Sequence, residues 1–119
     1  MHIESLYTYC TSKTGVTESF PFNDEVLVFK VMNKMFALVN VEKLPVRVNL
    51  KCNPSYALEL RAQYEAVQPG YHMNKKHWNT VDVQSDLPDH EVRSLIDHSY
   101  DLVVKSLRKS DREALATMG

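Results

Sequence analysis

The chain has 119 residues, 44% hydrophobic and 24% charged, with a formal net charge of −1. That composition predicts one globular domain with a core large enough to need neither disulfide nor metal. Cys10 and Cys52 are too few for a secreted disulfide framework, and no apolar run approaches the roughly 20 residues that span a bilayer. The N-terminus, MHIESLYTYC, lacks the basic start and apolar block of a signal peptide. A reduced, cytoplasmic protein without a membrane role is expected.

In chain order, IESLYTYCTSKTG predicts a helix with Ile3, Leu6, Tyr7 and Cys10 at helical spacing and Gly15 as its C-cap. VTESFPFND is an irregular entry with a short strand. EVLVFKVMNKMFALVNV predicts a β-hairpin turning at Asn33-Lys34, and apolar residues on both faces mark its strands as central. In PVRVNLKC, Val46, Val48, Leu50 and Cys52 alternate with Arg47, Asn49 and Lys51, so one face is buried and the other polar and basic.

NPSYALELRAQY predicts a helix with Asn53 as N-cap and Pro54 at the first helical position. Its inner face is Ala57, Leu60, Arg61 and Tyr64, with Arg61 snorkelling. VQPG ends it and leads into Pro69–Val81. HWNTVDVQ is a strand with Trp78, Thr80 and Asp82 on one face and His77, Asn79, Val81 and Val83 on the other. LPDHEVRSLIDHSYDLVVKSL is a long amphipathic helix whose apolar stripe runs from Val92 to Leu107 and includes Ser99. SDREALATMG begins a last helix, with Ser110 and Glu113 at capping-box spacing. This order is not the strict alternation of a parallel sheet. It predicts an α+β, two-layer single domain over residues 1–119, an antiparallel sheet with helices on one face.

Charge is segregated along the chain. Lys30, Lys34, Lys43, Arg47 and Lys51 face only Glu42 between positions 30 and 51. Asp82, Asp86, Asp89, Glu91, Asp97 and Asp101 face only Arg93 between positions 82 and 101. A local basic surface is therefore compatible with an acidic total.

Catalytic chemistry finds little support. Asp97, His98 and Ser99 carry triad residue types, but neighbours on a helix point about 100° apart and cannot form one hydrogen-bonded row. No His or Cys pair has the spacing of a zinc site, and no glycine-rich phosphate loop occurs. Asp86, Asp89 and Glu91 suit the start of a helix through its dipole. No enzyme activity and no cofactor are expected.

Pro69–Val81, PGYHMNKKHWNTV, gathers His72, His77, Lys75, Lys76, Asn74, Asn79, Tyr71 and Trp78, the sole tryptophan, and no acid. Lysines attract phosphate without regard to sequence, Asn and His donors fix register, and aromatic rings stack on bases. The same residues also suit a structural role, with Trp78 in the core, the asparagines capping turns and His72 bonded to a tight Pro69-Gly70 turn. Both readings stand on the residues alone.

Phe20–Val39, Val48–Arg61, Pro69–Val81 and Leu95–Val103 resemble the MmcQ/YjbR family of small bacterial proteins, across nearly the whole chain. The phrase GYHMNKKHWNTV is the most specific part. The resemblance implies a compact α+β domain with a sheet topology similar to type III secretion chaperones. It also implies DNA binding through a double-wing arrangement of β-hairpins. No catalytic residues come with it. The positions that match its distinctive phrase are Pro69, Gly70, Tyr71, His72, Asn74, Lys75, His77, Trp78 and Asn79, and Lys51 and Arg61 lie in family-like contexts.

The expected function is therefore non-enzymatic DNA binding by a basic sheet and loop surface. Lys51, Lys75 and Lys76 would meet phosphate, His72, Asn74 and His77 would fix geometry, and Tyr71 or Trp78 would stack. The alternative is a protein-interaction module or chaperone-like adaptor, dimeric through a sheet edge or apolar helix face, with no nucleic-acid role. A third reading gives the same donors a small anion, held more strongly when His72 or His77 is protonated below about pH 6.5.

Overall fold

The computed structural model describes residues 1–119. In chain order the elements are α1 (Ile3–Thr11), β1 (Val16–Ser19), β2 (Val26–Val31), β3 (Lys34–Asn40) and β4 (Arg47–Lys51). They continue with α2 (Pro54–Gln63), β5 (Val67–Pro69), β6 (Trp78–Asp82), α3 (Asp89–Ser106) and α4 (Lys109–Ala116). The strands form one sheet in the order β1-β2-β3-β4-β6-β5, antiparallel at every pairing.

Strand alternation sets which face is buried. Val46, Val48 and Leu50 point to one side with Val81 and Val83, and Leu27, Phe29, Val31, Ala37 and Val39 join them from β2 and β3. All four helices pack on that side: Leu6 and Cys10 from α1, Ala57 and Leu60 from α2, Val92, Leu95, Ile96 and Val103 from α3, and Leu115 from α4. The result is the expected α+β domain with helices on one face of the sheet. No helix is long and apolar enough to cross a membrane.

Several local expectations need correcting. The β2–β3 hairpin turns at Met32-Asn33, one residue before Asn33-Lys34. Met32 and Asn33 both take positive φ, +46° and +70°, as a tight two-residue hairpin demands. The register then pairs Val31 with Lys34, and Phe36 is accommodated as a bulge, because Phe29 pairs with Ala37 and Lys30 with Met35. The bulge lets adjacent Phe36 and Ala37 both be buried. α1 stops at Thr11 with Ser12 as its C-cap, so Gly15 is not the cap. Gly15 instead takes φ +72° in the turn to β1, where a Cβ would come within 2.5 Å of Leu115 Cδ1.

The Ser110–Glu113 capping box does not form. α4 starts early enough that Ser110 lies inside it, and its N-cap is Arg108, whose Nε lies 3.0 Å from Asp111 Oδ2. β5 was not visible in VQPG, since three residues carry no period. It is an edge strand, where Pro69 costs no ladder hydrogen bond. The Asn53 cap is as expected: its Oδ1 accepts from the Ser55 and Tyr56 amides.

Candidate functional site

Pro69–Val81 is the β5–β6 connection plus most of β6. Pro69 pairs with Asn79, and the Gly70 N–H donates to the Trp78 carbonyl at 2.9 Å, closing the base of the loop. A Cβ on Gly70 would meet Trp78 Cβ at 2.8 Å and Trp78 O at 2.9 Å, so only glycine fits here. Inside the loop, the Asn74 side chain accepts from the Lys76 amide, and the Asn74 carbonyl accepts from the Trp78 amide at 3.0 Å. Lys75 Nζ folds back onto the Gly70 carbonyl at 2.9 Å.

Two neighbouring elements hold this loop. From α2, Arg61 does not snorkel to water. Its Nε donates to Asn79 Oδ1 at 2.7 Å, and one terminal nitrogen donates to the Lys75 and Trp78 carbonyls. Its several fixed donors suit that task, because one guanidinium reaches three acceptors. Asn79 is 2% exposed, so Arg61 satisfies a buried amide. From the sheet, Thr80 Oγ1 donates to Asn49 Oδ1 and accepts from the Tyr71 amide, while Asn49 Nδ2 donates to the Tyr71 carbonyl. Asn49 and Thr80 point away from the helices, so the start of the loop is fastened over the helix-free face.

That face carries the basic residues. Lys51 lies directly opposite Trp78, Asn49 opposite Thr80 and Arg47 opposite Asp82 across β4 and β6. Val28 and Leu38 pair side by side on the same face, apart from the main core, and Lys30 follows Val28 two residues on. Lys30, Arg47 and Lys51 therefore share a helix-free surface with Asp82 as its one strand acid. Three acids that follow Asp82 are occupied elsewhere. Asp86 accepts from the Glu65 and Ala66 amides, Asp89 lies 3.3 Å from the N-terminal ammonium, and Asp97 accepts from Tyr9 Oη at 2.6 Å and pairs with Lys13. Arg47 and Lys51 thus stand on the helix-free side, while Lys34 of the same basic run turns to the Ser106 carbonyl on the helical side.

The candidate residues thus divide. Asn74 and Lys75 hold the loop, and Trp78 is half-buried on the open face beside Lys51. Tyr71, His72, Lys76 and His77 are exposed. The Tyr71 and His72 rings lie 4.0 Å apart, centroid to centroid, and His72 takes φ +59°, a conformation that turns the loop rather than bonds it. Lys30, Arg47, Asn49 and Thr80 complete the surface. The alternation of PVRVNLKC already placed Arg47 and Asn49 beside Lys51; Lys30 was hidden in a strand apolar on both faces.

The DHSY residues disperse as helix geometry requires. Ser99 Oγ donates to the Phe36 carbonyl and accepts from the Lys51 amide, His98 Nε2 accepts from the Asn53 amide at 3.2 Å, and Asp97 belongs to Tyr9 and Lys13. Burial holds the His98 pKa below its ordinary value, aided by Lys105 and opposed by Asp101. Burial pushes the Cys10 thiol up to about 12 and the Cys52 thiol up to about 11, which leaves neither a nucleophile at neutral pH.

These features define a small α+β protein with an open antiparallel sheet and a scaffolded loop over its helix-free face. The family model described as YjbR matches residues 11–102. The chain belongs to the YjbR family. It is 37% identical over 119 residues to the uncharacterized protein YjbR of Escherichia coli K12, covering 99% of this chain and 100% of that one. It is 31% identical over 113 residues to the uncharacterized protein YyaQ of Bacillus subtilis, covering 83% of this chain and 95% of that one. The crystal structure of Deinococcus radiodurans DR2400, a DUF419 protein, is similar at TM-score 0.89 and 38% identity, over 96% of this chain and 87% of that one. A Pseudomonas syringae crystal structure is similar at TM-score 0.74 and 28% identity, over 86% and 98% of the two chains.

Proposed function

We propose that the protein is a non-catalytic nucleic-acid-binding domain that works through the helix-free face of its sheet and the Tyr71–His77 loop. One observation carries this reading. Lys30, Arg47 and Lys51 share that face, while the acids after Asp82 that have structural partners find them among helices, loops and the N-terminus. Arg47, Lys51 and Lys76 supply attraction to phosphate. Tyr71 and His72 present exposed rings at the start of the loop, and Trp78 lies half-buried beside Lys51, so a base can stack against the sheet there. The few cations imply modest affinity with little base discrimination, since lysine and arginine on phosphate carry no sequence information.

The test is anisotropy of labelled mixed-sequence duplex and single-stranded DNA. With about three phosphate contacts, affinity falls roughly 20- to 40-fold between about 50 and 200 mM salt. Arg47→Gln with Lys51→Gln weakens binding and flattens that dependence. No binding at about 50 mM salt, or binding indifferent to this double substitution, removes the proposed surface.

A further inference from the structure

α1 does not close completely over β2 and β3. An open groove of about 380 Å³ remains between them, on the helical side of the sheet and away from the basic face. Leu27, Phe29 and Val39 form its floor, and Ile3, Tyr7 and Val41 its apolar walls. Its size lies within the range of ligand clefts, about 300–1,000 Å³. Tyr7 and Val41 are 40% and 36% exposed, so apolar surface meets water here and is gained by an apolar occupant.

Two further features select that occupant. Apolar surface continues past the groove. The β1–β2 and β3–β4 loops leave the sheet at this end, where the Val41 amide donates to the Glu25 carbonyl at 2.9 Å. They carry Phe22 and Leu44, 64% and 82% exposed. A small molecule in the groove would leave both in water, whereas a peptide can cover them. The rim is also acidic. Glu4 lines the groove, Glu18 accepts from the Tyr7 hydroxyl, and Glu25 and Glu42 flank Val41. Lys43 is the one base in these two loops.

We propose that this groove docks a short segment of a partner protein that presents apolar side chains flanked by lysine or arginine. The apolar side chains fill the space over Leu27, Phe29 and Val39, and the basic ones meet Glu4 and Glu18. A second copy of this chain offers Leu44, 82% exposed beside Lys43, but Glu42 adjoins that pair and would meet the acidic rim with like charge, so a dimer is an outcome that the test reads separately.

The test is amide-resonance mapping of the full chain with short synthetic amphipathic peptides of leucine and lysine, against twins with glutamate for lysine or serine for leucine. The lysine–leucine peptide should shift resonances confined to α1, Leu27–Phe29 and Val39–Val41, and both twins should bind roughly tenfold more weakly or worse. Glu4→Lys, an exposed change, should lower affinity for the lysine peptide by a similar factor. Thr8→Phe should fill the groove and remove binding. Equal affinity for the lysine and glutamate peptides, shifts centred on another surface, or indifference to both substitutions would overturn the proposal. So would a concentration-dependent dimer that Thr8→Phe dissolves, since it would place a second copy in the groove. Nucleic-acid binding is read on the opposite face, so either proposal can fail alone.

Discussion

Arg61 Nε donates to Asn79 Oδ1 at 2.7 Å, joining α2 to the buried face of β6 across a pair 18 residues apart. The same guanidinium bonds the Lys75 and Trp78 carbonyls, so one side chain ties the far end of the loop to the start of β6. Arg61→Ala leaves the Asn79 amide buried without this partner and frees the Lys75 carbonyl, while the Trp78 carbonyl keeps the Gly70 amide. The expected cost is about 2–3 kcal/mol. Arg61→Lys recovers little, because an ammonium on a flexible stem cannot reproduce the fork. Urea denaturation of the three forms checks this, with a change in the emission of Trp78 expected for both variants.

Gly70 tests the close approach of the loop limbs. Gly70→Ala sets a Cβ against Trp78 Cβ and the Trp78 carbonyl at under 3 Å, and the facing atoms there are backbone and a Cβ that cannot rotate away. Overpacking of this kind costs about 1–3 kcal/mol. A denaturation midpoint equal to the wild type would show that the loop opens without penalty.

Neighbouring lysines should behave differently. Lys75 Nζ bonds the Gly70 carbonyl, whereas Lys76 is exposed and its ammonium has no partner in the protein. Lys75→Ala should lower stability by about 1 kcal/mol and perturb the loop. Lys76→Ala should leave stability within about 0.5 kcal/mol and reduce nucleic-acid affinity. Paired melting and anisotropy measurements separate the two roles, and a reversed pattern would show that the hydrogen bond to Gly70 does not govern Lys75.

His98 makes stability depend on pH. Its Nε2 accepts from the Asn53 amide, with the Tyr56 ring edge-on at 5.2 Å, and burial holds its pKa below 6.5. A depressed folded pKa means that folding favours the neutral ring. Its contribution is complete above the unfolded pKa and is lost as pH falls through the folded value. Protonation also turns Nε2 into a donor facing another donor. Urea midpoints should fall between about pH 7.5 and pH 5, and fall less in His98→Gln. Equal falls in both proteins would exclude His98 as the cause.

Much of this architecture was legible because period and burial agree. The alternation of Val46 to Cys52 fixed the inner and outer faces of β4, the stripe of α3 was complete, and Asn53-Pro54 announced α2 through cap chemistry. Local patterns failed where tertiary contacts decide. The hairpin turn takes Met32-Asn33, with Met32 rather than Lys34 beside Asn33, and the bulge at Phe36 then shifts the register behind it. β5 was too short for a period. In the loop, residue types could not tell Lys75, bonded inward, from Lys76, left outward, because Arg61 and Thr80 set that division from distant positions. The basic face was half visible, through Arg47 and Lys51. Its separation from the acids exists only in the folded chain.

The most direct test of a nucleic-acid surface on the helix-free face is amide-resonance mapping with a short mixed-sequence single-stranded DNA at about 50 mM salt. The predicted result is a continuous set of shifts over Lys30, Arg47, Asn49, Lys51 and Tyr71–Thr80, fading as salt is raised to about 200 mM. Shifts confined to the helical side, or none at the lower salt, would contradict it.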